Sequence, residues 1–97
     1  MHKYFHTEYR THISNFRKIR NLSQHQVAKE MGMLPNNFNE FENGKGGHML
    51  EIRFFIKLAK VLGVSLEELA KAEAEYRDKL DKKNGYTSIY QFNPSNE

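Results

Sequence analysis

The segment 23–45 constrains the fold of this 97-residue chain more than any other part of it. Ser23 is followed three residues later by Gln26, which is the spacing of a capping box that opens a helix. Gly32 interrupts the helical pattern that follows. Pro35 then begins a second pattern, because proline suits the first position of a helix. The sequence therefore predicts two short helices joined by a tight turn.

Three further helices are expected around this pair. Apolar residues at helical spacing predict helix 1 over about 8–20, helix 4 over about 50–62 and helix 5 over about 66–84. Ser65 and Glu68 repeat the capping-box spacing at the start of helix 5. The apolar residues that define the five helical patterns are Tyr9, Ile13, Phe16, Ile19, Val27, Ala28, Met31, Phe38, Phe41, Ile52, Phe55, Ile56, Ala59, Leu62, Leu66, Leu69, Ala70 and Tyr76.

Both ends of the chain lie outside the predicted helical domain, which covers residues 10–70. Residues 1–9 form an aromatic and polar N-terminal arm, and residues 71–97 form a C-terminal extension. Within that extension the segment 86–92 is aromatic and β-branched, which favours a short strand. Two interpretations stay open: a disordered end, or an added strand that joins two subunits. We favour the second, since an exposed apolar strand without a partner promotes aggregation.

Composition limits the classes of protein to which the chain can belong. It has no cysteine, which excludes disulfides and thiolate metal sites. It has neither an apolar run of membrane-spanning length nor the apolar stretch of a signal peptide, so we expect a cytoplasmic protein. The net charge is +3, and residues 1–34 carry six Lys and Arg residues against two Glu residues. This concentration of positive charge is compatible with a polyanionic partner.

No group of residues predicts catalysis or metal binding. His2 and His6 share a helical spacing, but no third and fourth ligand accompany them. Asp78, Asp81 and the neighbouring lysines are expected to form a solvated face. The other acidic side chains of helix 5 are expected on its surface without a pocket, namely Glu67, Glu68, Glu73 and Glu75. We therefore expect no enzymatic activity, no metal and no cofactor.

Taken together, the helical segments resemble the phage-repressor/Cro family of lambda-repressor-like helix-turn-helix domains. The resemblance depends on the complete set of positions in register over residues 10–70. It is carried by Arg17, Leu22 to Gln24, Val27, Ala28, Met31, Gly32, Phe38, Phe41 to Lys45 and Leu58 to Ser65. It implies an all-α fold of five helices, to which the residue patterns described above add an extended C-terminal helix and a short terminal β-segment.

The resemblance also implies roles for individual residues. Arg17 and Glu42 match a buried ion pair that ties helix 1 to the end of helix 3. Gln24 and Asn43 match positions that contact the phosphates of DNA, and Lys45 can add positive charge beside Asn43. Such contacts position a protein on the duplex, whereas contacts to base edges specify the sequence.

The base-reading positions of the family fall on the exposed face of helix 3. Pro35 occupies the first of them and has no side-chain donor. Asn can pair with adenine and Glu can accept from the cytosine amino group, so four residues remain as predicted base readers. They are Asn36, Asn37, Asn39 and Glu40. The absence of Arg and Lys from this face departs from a typical member, and Glu40 repels phosphates.

The function that the resemblance implies is sequence-specific binding of double-stranded DNA by a transcriptional regulator, a repressor acting as a homodimer on a pseudo-palindromic operator. The dimer interface is expected on helix 5, at Leu66, Leu69 and Tyr76. Two alternatives stay open. The first is a DNA-binding antitoxin whose segment 72–97 neutralises a toxin. The second is a protein-interaction module that kept the fold and lost DNA binding. Beside double-stranded DNA and a second copy of the chain, the candidate partners are therefore a toxin or a co-regulator.

Overall fold

The computed structural model describes residues 7–45 and 51–85. These residues form five helices and no strand, which confirms the predicted all-α class. The predicted β-segment at 86–92 and residues 1–6 of the N-terminal arm lie outside the described residues. The helices are α1 (Thr11–Ile19), α2 (Gln24–Met31), α3 (Pro35–Glu42), α4 (Ile52–Leu62) and α5 (Leu66–Lys83).

The predicted capping boxes explain where α2 and α5 begin. Ser23 Oγ accepts from the Gln26 N–H at 3.0 Å, and the Ser23 N–H donates to Gln26 Oε1 at 2.7 Å, so the first box is complete. At α5 Ser65 Oγ accepts from the Glu68 N–H at 3.0 Å, and only this half of the box is formed among the described residues. Each box satisfies backbone donors that a helix start leaves without a partner.

The start of α3 has no side-chain cap. Leu34 occupies the N-cap position and offers no side-chain acceptor. Pro35 follows at the first helical position and has no N–H, so the uncapped end exposes one donor fewer. The helix is thereby compatible with an apolar residue at a position that usually carries Ser, Thr, Asp or Asn.

Helix α1 begins three residues later than the spacing predicts. Arg10 adopts a non-helical backbone with φ −82° and ψ 74°. Its N–H donates to the Glu42 carbonyl at 2.7 Å, which ties this part of the chain to the end of α3. Tyr9 and Ile19, at the two ends of the predicted apolar pattern, are 70% and 79% exposed. Only Ile13 and Phe16 of that pattern contact the core.

One hydrophobic core unites the five helices. Its largest fully buried side chains are Ile13, Val27, Phe38, Phe41, Leu58, Leu62 and Leu69. The ring of Phe41 lies edge-on to Phe54 with centroids 5.1 Å apart, and Phe54 lies edge-on to Phe55 at 5.3 Å. Edge-to-face contacts of this kind add to the stabilisation from buried area.

The apolar face of α4 is rotated relative to the predicted one. Ile52 and Ile56 are exposed, whereas Leu58 is fully buried. Phe55, Ala59 and Leu62 face the core as predicted. The spacing alone admitted both faces, because α4 is apolar on more than half of its circumference, and packing against α2 and α5 selects one of them.

Helix α5 extends to Lys83 with Asn84 at its C-cap, in agreement with the range of about 66–84 that the sequence predicts. The expectation of a surface lined only by solvated charges is wrong for two residues. Glu73 is 5% exposed and Asp78 is 8% exposed. Helical spacing places Glu73 in line with Leu69, which points it towards α1 rather than towards solvent.

No helix in the described ranges combines the length and the apolar character that crossing a bilayer requires.

Candidate nucleic-acid interface

The α2–turn–α3 unit presents one face of α3 to solvent. Gly32 ends α2 in the left-handed conformation with φ +75°, and three residues later α3 begins. Phe38 and Phe41 anchor the inner face of α3 in the core. Asn36, Asn37 and Glu40 are exposed on the outer face, and their side chains make no hydrogen bond to the part of the chain that the structure describes. Three of the four predicted base readers are thus available to a ligand.

Arg17 and Glu42 form a two-pronged ion pair between α1 and the end of α3. Arg17 Nε donates to Glu42 Oε2 at 2.6 Å, and a terminal guanidinium nitrogen donates to Oε1 at 3.2 Å. Arg17 also donates to the Leu22 carbonyl at 2.9 Å. Both side chains are largely buried, with 11% and 6% of their surfaces exposed. The geometry matches the role that the family resemblance implies for this pair.

A row of three side-chain amides leads from the same carboxylate along α2 and α3. Gln24 Nε2 donates to Glu42 Oε1 at 2.8 Å. Asn39 Nδ2 donates to Gln24 Oε1 at 3.1 Å, and Asn43 Nδ2 donates to Asn39 Oδ1 at 3.1 Å. We call Gln24, Asn39 and Asn43 the amide row. It contains two predicted phosphate contacts, Gln24 and Asn43, and one predicted base reader, Asn39. Asn39 is half-buried and hydrogen-bonded within the chain, whereas the other three predicted base readers are exposed.

The end of α3 is packed closely against the chain that precedes α1. Gly44 adopts φ +83°, and a Cβ atom there would lie 2.1 Å from the Glu8 carbonyl oxygen. Only glycine tolerates this conformation and this approach without a backbone shift. Lys45 follows directly and is exposed. Asn43 and Lys45 line a depression together with Thr7, Glu8 and Tyr9.

A buried cluster around Arg10, which the sequence did not predict, holds α5 against this unit. Arg10 is 4% exposed. Its guanidinium donates to the Phe41 carbonyl at 2.8 Å and lies 4.3 Å from the Phe41 ring centroid. It also pairs with Glu73 of α5 at 3.0 Å. One side chain therefore connects the last turn of α3 to α5.

Glu73 collects three basic partners in this cluster. His12 Nε2 lies 2.8 Å from Glu73 Oε1, and Arg77 Nε donates to Oε2 at 3.0 Å. Burial by itself would raise the pKa of Glu73, but the hydrogen bonds from His12 and Arg10 and the charges of Arg10 and Arg77 outweigh it and lower the pKa to about 2. The carboxylate is therefore held in its charged form.

One signal in the sequence could have revealed this cluster. Leu69, Glu73, Tyr76 and Leu80 follow one another at intervals of four, three and four residues, which places them on one face of a helix. Leu69 and Leu80 are buried. An acidic residue between two buried leucines requires a buried cation, but the sequence offers fifteen Lys and Arg residues and does not say which one.

The three predicted interface residues of α5 occupy different environments. Leu69 is fully buried in the core of its own chain, which corrects its placement at a dimer interface. The Tyr76 hydroxyl donates to the Glu8 carbonyl at 2.8 Å, so this side chain is engaged within the chain. Leu66 is 36% exposed. It borders a shallow groove of about 300 Å³ between α4 and α5, together with Ile52, Phe55, Ala70 and Ala74.

Among the described residues no group of three or more His, Asp and Glu side chains is arranged to hold a metal ion.

The geometry agrees with a comparison to protein families. Residues 12–75 match the model of a family described as helix-turn-helix domain, which spans α1 to the middle of α5 and more than half of the chain. Searches of curated proteins and of solved structures gave no significant match. The matched region contains α2, the turn and α3. The chain therefore belongs to the helix-turn-helix domain family and is a DNA-binding domain of the Cro type.

Proposed function

We propose that this protein is a sequence-specific transcriptional regulator, a repressor that binds double-stranded DNA as a homodimer. The helix-turn-helix family supports a DNA-binding regulator in general. The observation that carries the finer proposal is the outer face of α3, where Asn36, Asn37 and Glu40 are exposed on a helix whose inner face is fixed in the core. Rigid placement of a reading face favours discrimination between base pairs.

The chemistry of this face suggests which bases it reads. An Asn side chain can donate to N7 and accept from N6 of adenine, and a Glu side chain can accept from N4 of cytosine. The proposed readers are Asn36 and Asn37 for A·T pairs and Glu40 for a C·G pair. Since none of them is cationic, affinity has to come from contacts to the phosphates.

Gln24, Asn43 and Lys45 are the proposed phosphate contacts. Gln24 lies at the first position of α2 and Asn43 at the C-cap of α3, so the two flank the reading face. Their amide N–H groups and the Lys45 ammonium can donate to phosphate oxygens. This arrangement supports docking of α3 in the major groove with the start of α2 over the backbone.

The homodimer is proposed to form through the groove between α4 and α5. Ile52 is 63% exposed and Leu66 is 36% exposed at its rim, and apolar side chains dominate its lining. An exposed apolar surface of this kind is a candidate for association with a second copy. A two-fold dimer would place two α3 helices on successive major grooves of an inverted repeat.

Selection from a random duplex pool at moderate salt tests the proposal. The full chain is immobilised, retained DNA is amplified, and the enriched sequences are read. We expect an inverted repeat with half-site centres about 10 base pairs apart. Binding to the enriched duplex should weaken steeply as salt rises, because phosphate contacts release counterions. Enrichment of no sequence by folded protein would reject the proposal and leave a protein-interaction module as the better account.

A further inference from the structure

The amide row has a defined direction. Each of its members donates towards Glu42: Asn43 to Asn39, Asn39 to Gln24, and Gln24 to the carboxylate. Rotating the Gln24 amide by 180° would place its oxygen against the carboxylate and its NH2 group against that of Asn39. Both contacts would be repulsive, since they oppose two acceptors and two donors. The orientation of all three amides therefore follows from one charge.

That charge is itself fixed. Glu42 is 6% exposed and accepts two hydrogen bonds from Arg17 as well as the one from Gln24. A charged acceptor strengthens the hydrogen bond made to it, and successive bonds polarise one another. Through the row, the buried ion pair therefore fixes the orientation of side chains that lie nearer the surface.

Asn39 differs from its neighbours on α3 because it is already engaged. Its oxygen accepts from Asn43, and one of its two N–H groups donates to Gln24. A bidentate contact to adenine uses the oxygen and an N–H of the same amide. Asn36 and Asn37 keep both groups available on the exposed face. A base contact through Asn39 would have to share both of these atoms with Gln24 and Asn43.

We propose that Asn39 is a positioning residue that holds the oxygen of the Gln24 amide and passes the orientation set by Glu42 to the Asn43 amide for phosphate contact, and that it does not read bases. This inference rests on the proposed function of DNA binding. In the amide row Gln24 and Asn43 each retain one N–H that the row does not use, which is the donor that a phosphate requires. Side chains ordered before binding lose less conformational entropy when the complex forms.

The inference predicts a distinct phenotype for Asn39→Ala. Affinity for all duplexes should fall about 2- to 12-fold, the loss expected when the Asn43 side chain must be ordered on binding while Gln24 stays bonded to Glu42, and the selected sequence should stay the same. Asn37→Ala is the matched control on the same helix, and its selected sequence should change at one base position in each half-site. A changed base preference in Asn39→Ala, or an affinity within twofold of the wild type, would overturn the inference.

A double-mutant comparison tests whether Asn39 acts through its neighbours. In a Gln24→Ala background, Asn39→Ala should cost less affinity than it does in the wild type, because half of its target is already gone. Costs that simply multiply would show that Asn39 acts independently and would contradict a positioning role.

Side-chain amide signals in NMR spectra of the DNA-free protein provide a readout that does not depend on DNA. Asn39→Ala should shift the Gln24 and Asn43 side-chain signals, and Asn37→Ala should leave them in place. Unmoved signals in Asn39→Ala would refute the row itself. If the wild type selects no duplex, the proposed function fails and this role fails with it; if the wild type selects one and Asn39→Ala alters the preference, only this role fails.

Discussion

Glu42 is the residue on which both the fold and the proposed site depend. Its carboxylate accepts from Arg17 of α1 and from Gln24 of α2, and its carbonyl accepts from the Arg10 N–H. A buried ion pair adds little net stability compared with apolar side chains of similar volume, since both charges lose their hydration. Removing one partner has a large effect, because the other charge stays buried and unpaired.

Glu42→Ala is therefore expected to lower the free energy of unfolding by roughly 3–5 kcal/mol. Urea denaturation followed by circular dichroism measures this change. Glu40→Ala is the matched control, because Glu40 is an exposed carboxylate on the same helix, and it should change the free energy by about 0.5 kcal/mol or less. Equal effects of the two substitutions would show that the Arg17–Glu42 pair is solvated rather than buried. Glu42→Gln retains a hydrogen-bond acceptor, so its effect on the free energy of unfolding should lie between those of Glu42→Ala and Glu40→Ala.

At the scale of elements, the main structural finding is that α5 is tied to α3 by charged side chains. Arg10 reaches the Phe41 carbonyl on one side and Glu73 on the other. Arg10 thus links two helices that are distant in sequence. The polar cluster therefore fixes how the C-terminal helix sits on the DNA-binding unit.

The cluster predicts a loss of stability in acid. The pKa of Glu73 is lowered from 4.5 to about 2 in the folded chain. The unfolded chain binds the proton more tightly, so the stabilisation from this group is complete above about pH 4.5 and is lost as the pH falls towards 2. Between pH 6 and pH 3 the wild type should lose about 2 kcal/mol more stability than Glu73→Gln, which lacks the carboxyl group.

Urea unfolding of the wild type and of Glu73→Gln at the two pH values measures that difference. Both proteins share the titrating groups that lie far from Glu73, so those contributions cancel. If the two proteins lose the same stability between these pH values, the basic partners do not lower the pKa of Glu73.

The helices also show how much of the fold could be predicted from the sequence. Caps, glycines and apolar spacing predicted the number and order of the helices, because these signals are local: Ser23 and Gly32 mark the bounds of α2 by interactions within a few residues. The start of α1 was missed by three residues, since it depends on the contact between Arg10 and Glu42, which are distant in sequence.

The site was predictable in part for the same reason. The family resemblance placed Asn36, Asn37, Asn39 and Glu40 on the outer face of α3, and all of them except Asn39 are exposed there. The amide row could not be predicted, because it requires Gln24, Asn39 and Glu42 to meet across two helices. The prediction of Leu69 at a dimer interface is the converse error, since Leu69 is buried in its own core. Helical spacing alone does not distinguish an apolar residue that faces its own core from one that faces a second copy.

At the scale of the whole molecule, the proposed regulator uses two surfaces, the outer face of α3 and the groove between α4 and α5. The proposed dimer requires the groove of one copy to associate with that of another, so that the two reading faces bind DNA together. Each surface can be altered without disturbing the other, because Leu66 lies outside the α2–α3 unit.

Leu66→Glu tests the dimer. A carboxylate at the rim of the groove should convert a dimer to a monomer in sedimentation equilibrium, since pairing would bury two charges. Binding to an inverted repeat should weaken by at least about 10-fold, because two linked half-site contacts become separate ones. Ile19→Glu is the control, as Ile19 is exposed on α1 and does not line the groove. A Leu66→Glu dimer would place the interface elsewhere.

The most direct test of the central claim, that the outer face of α3 reads DNA, is a parallel selection from one random duplex pool with the wild type and Asn36→Ala. Asn36 is exposed, so the variant should fold. We predict that the two enriched sequences differ at one base position in each half-site and agree elsewhere, with discrimination at that position reduced by about 1–3 kcal/mol. Identical enriched sequences would contradict the claim.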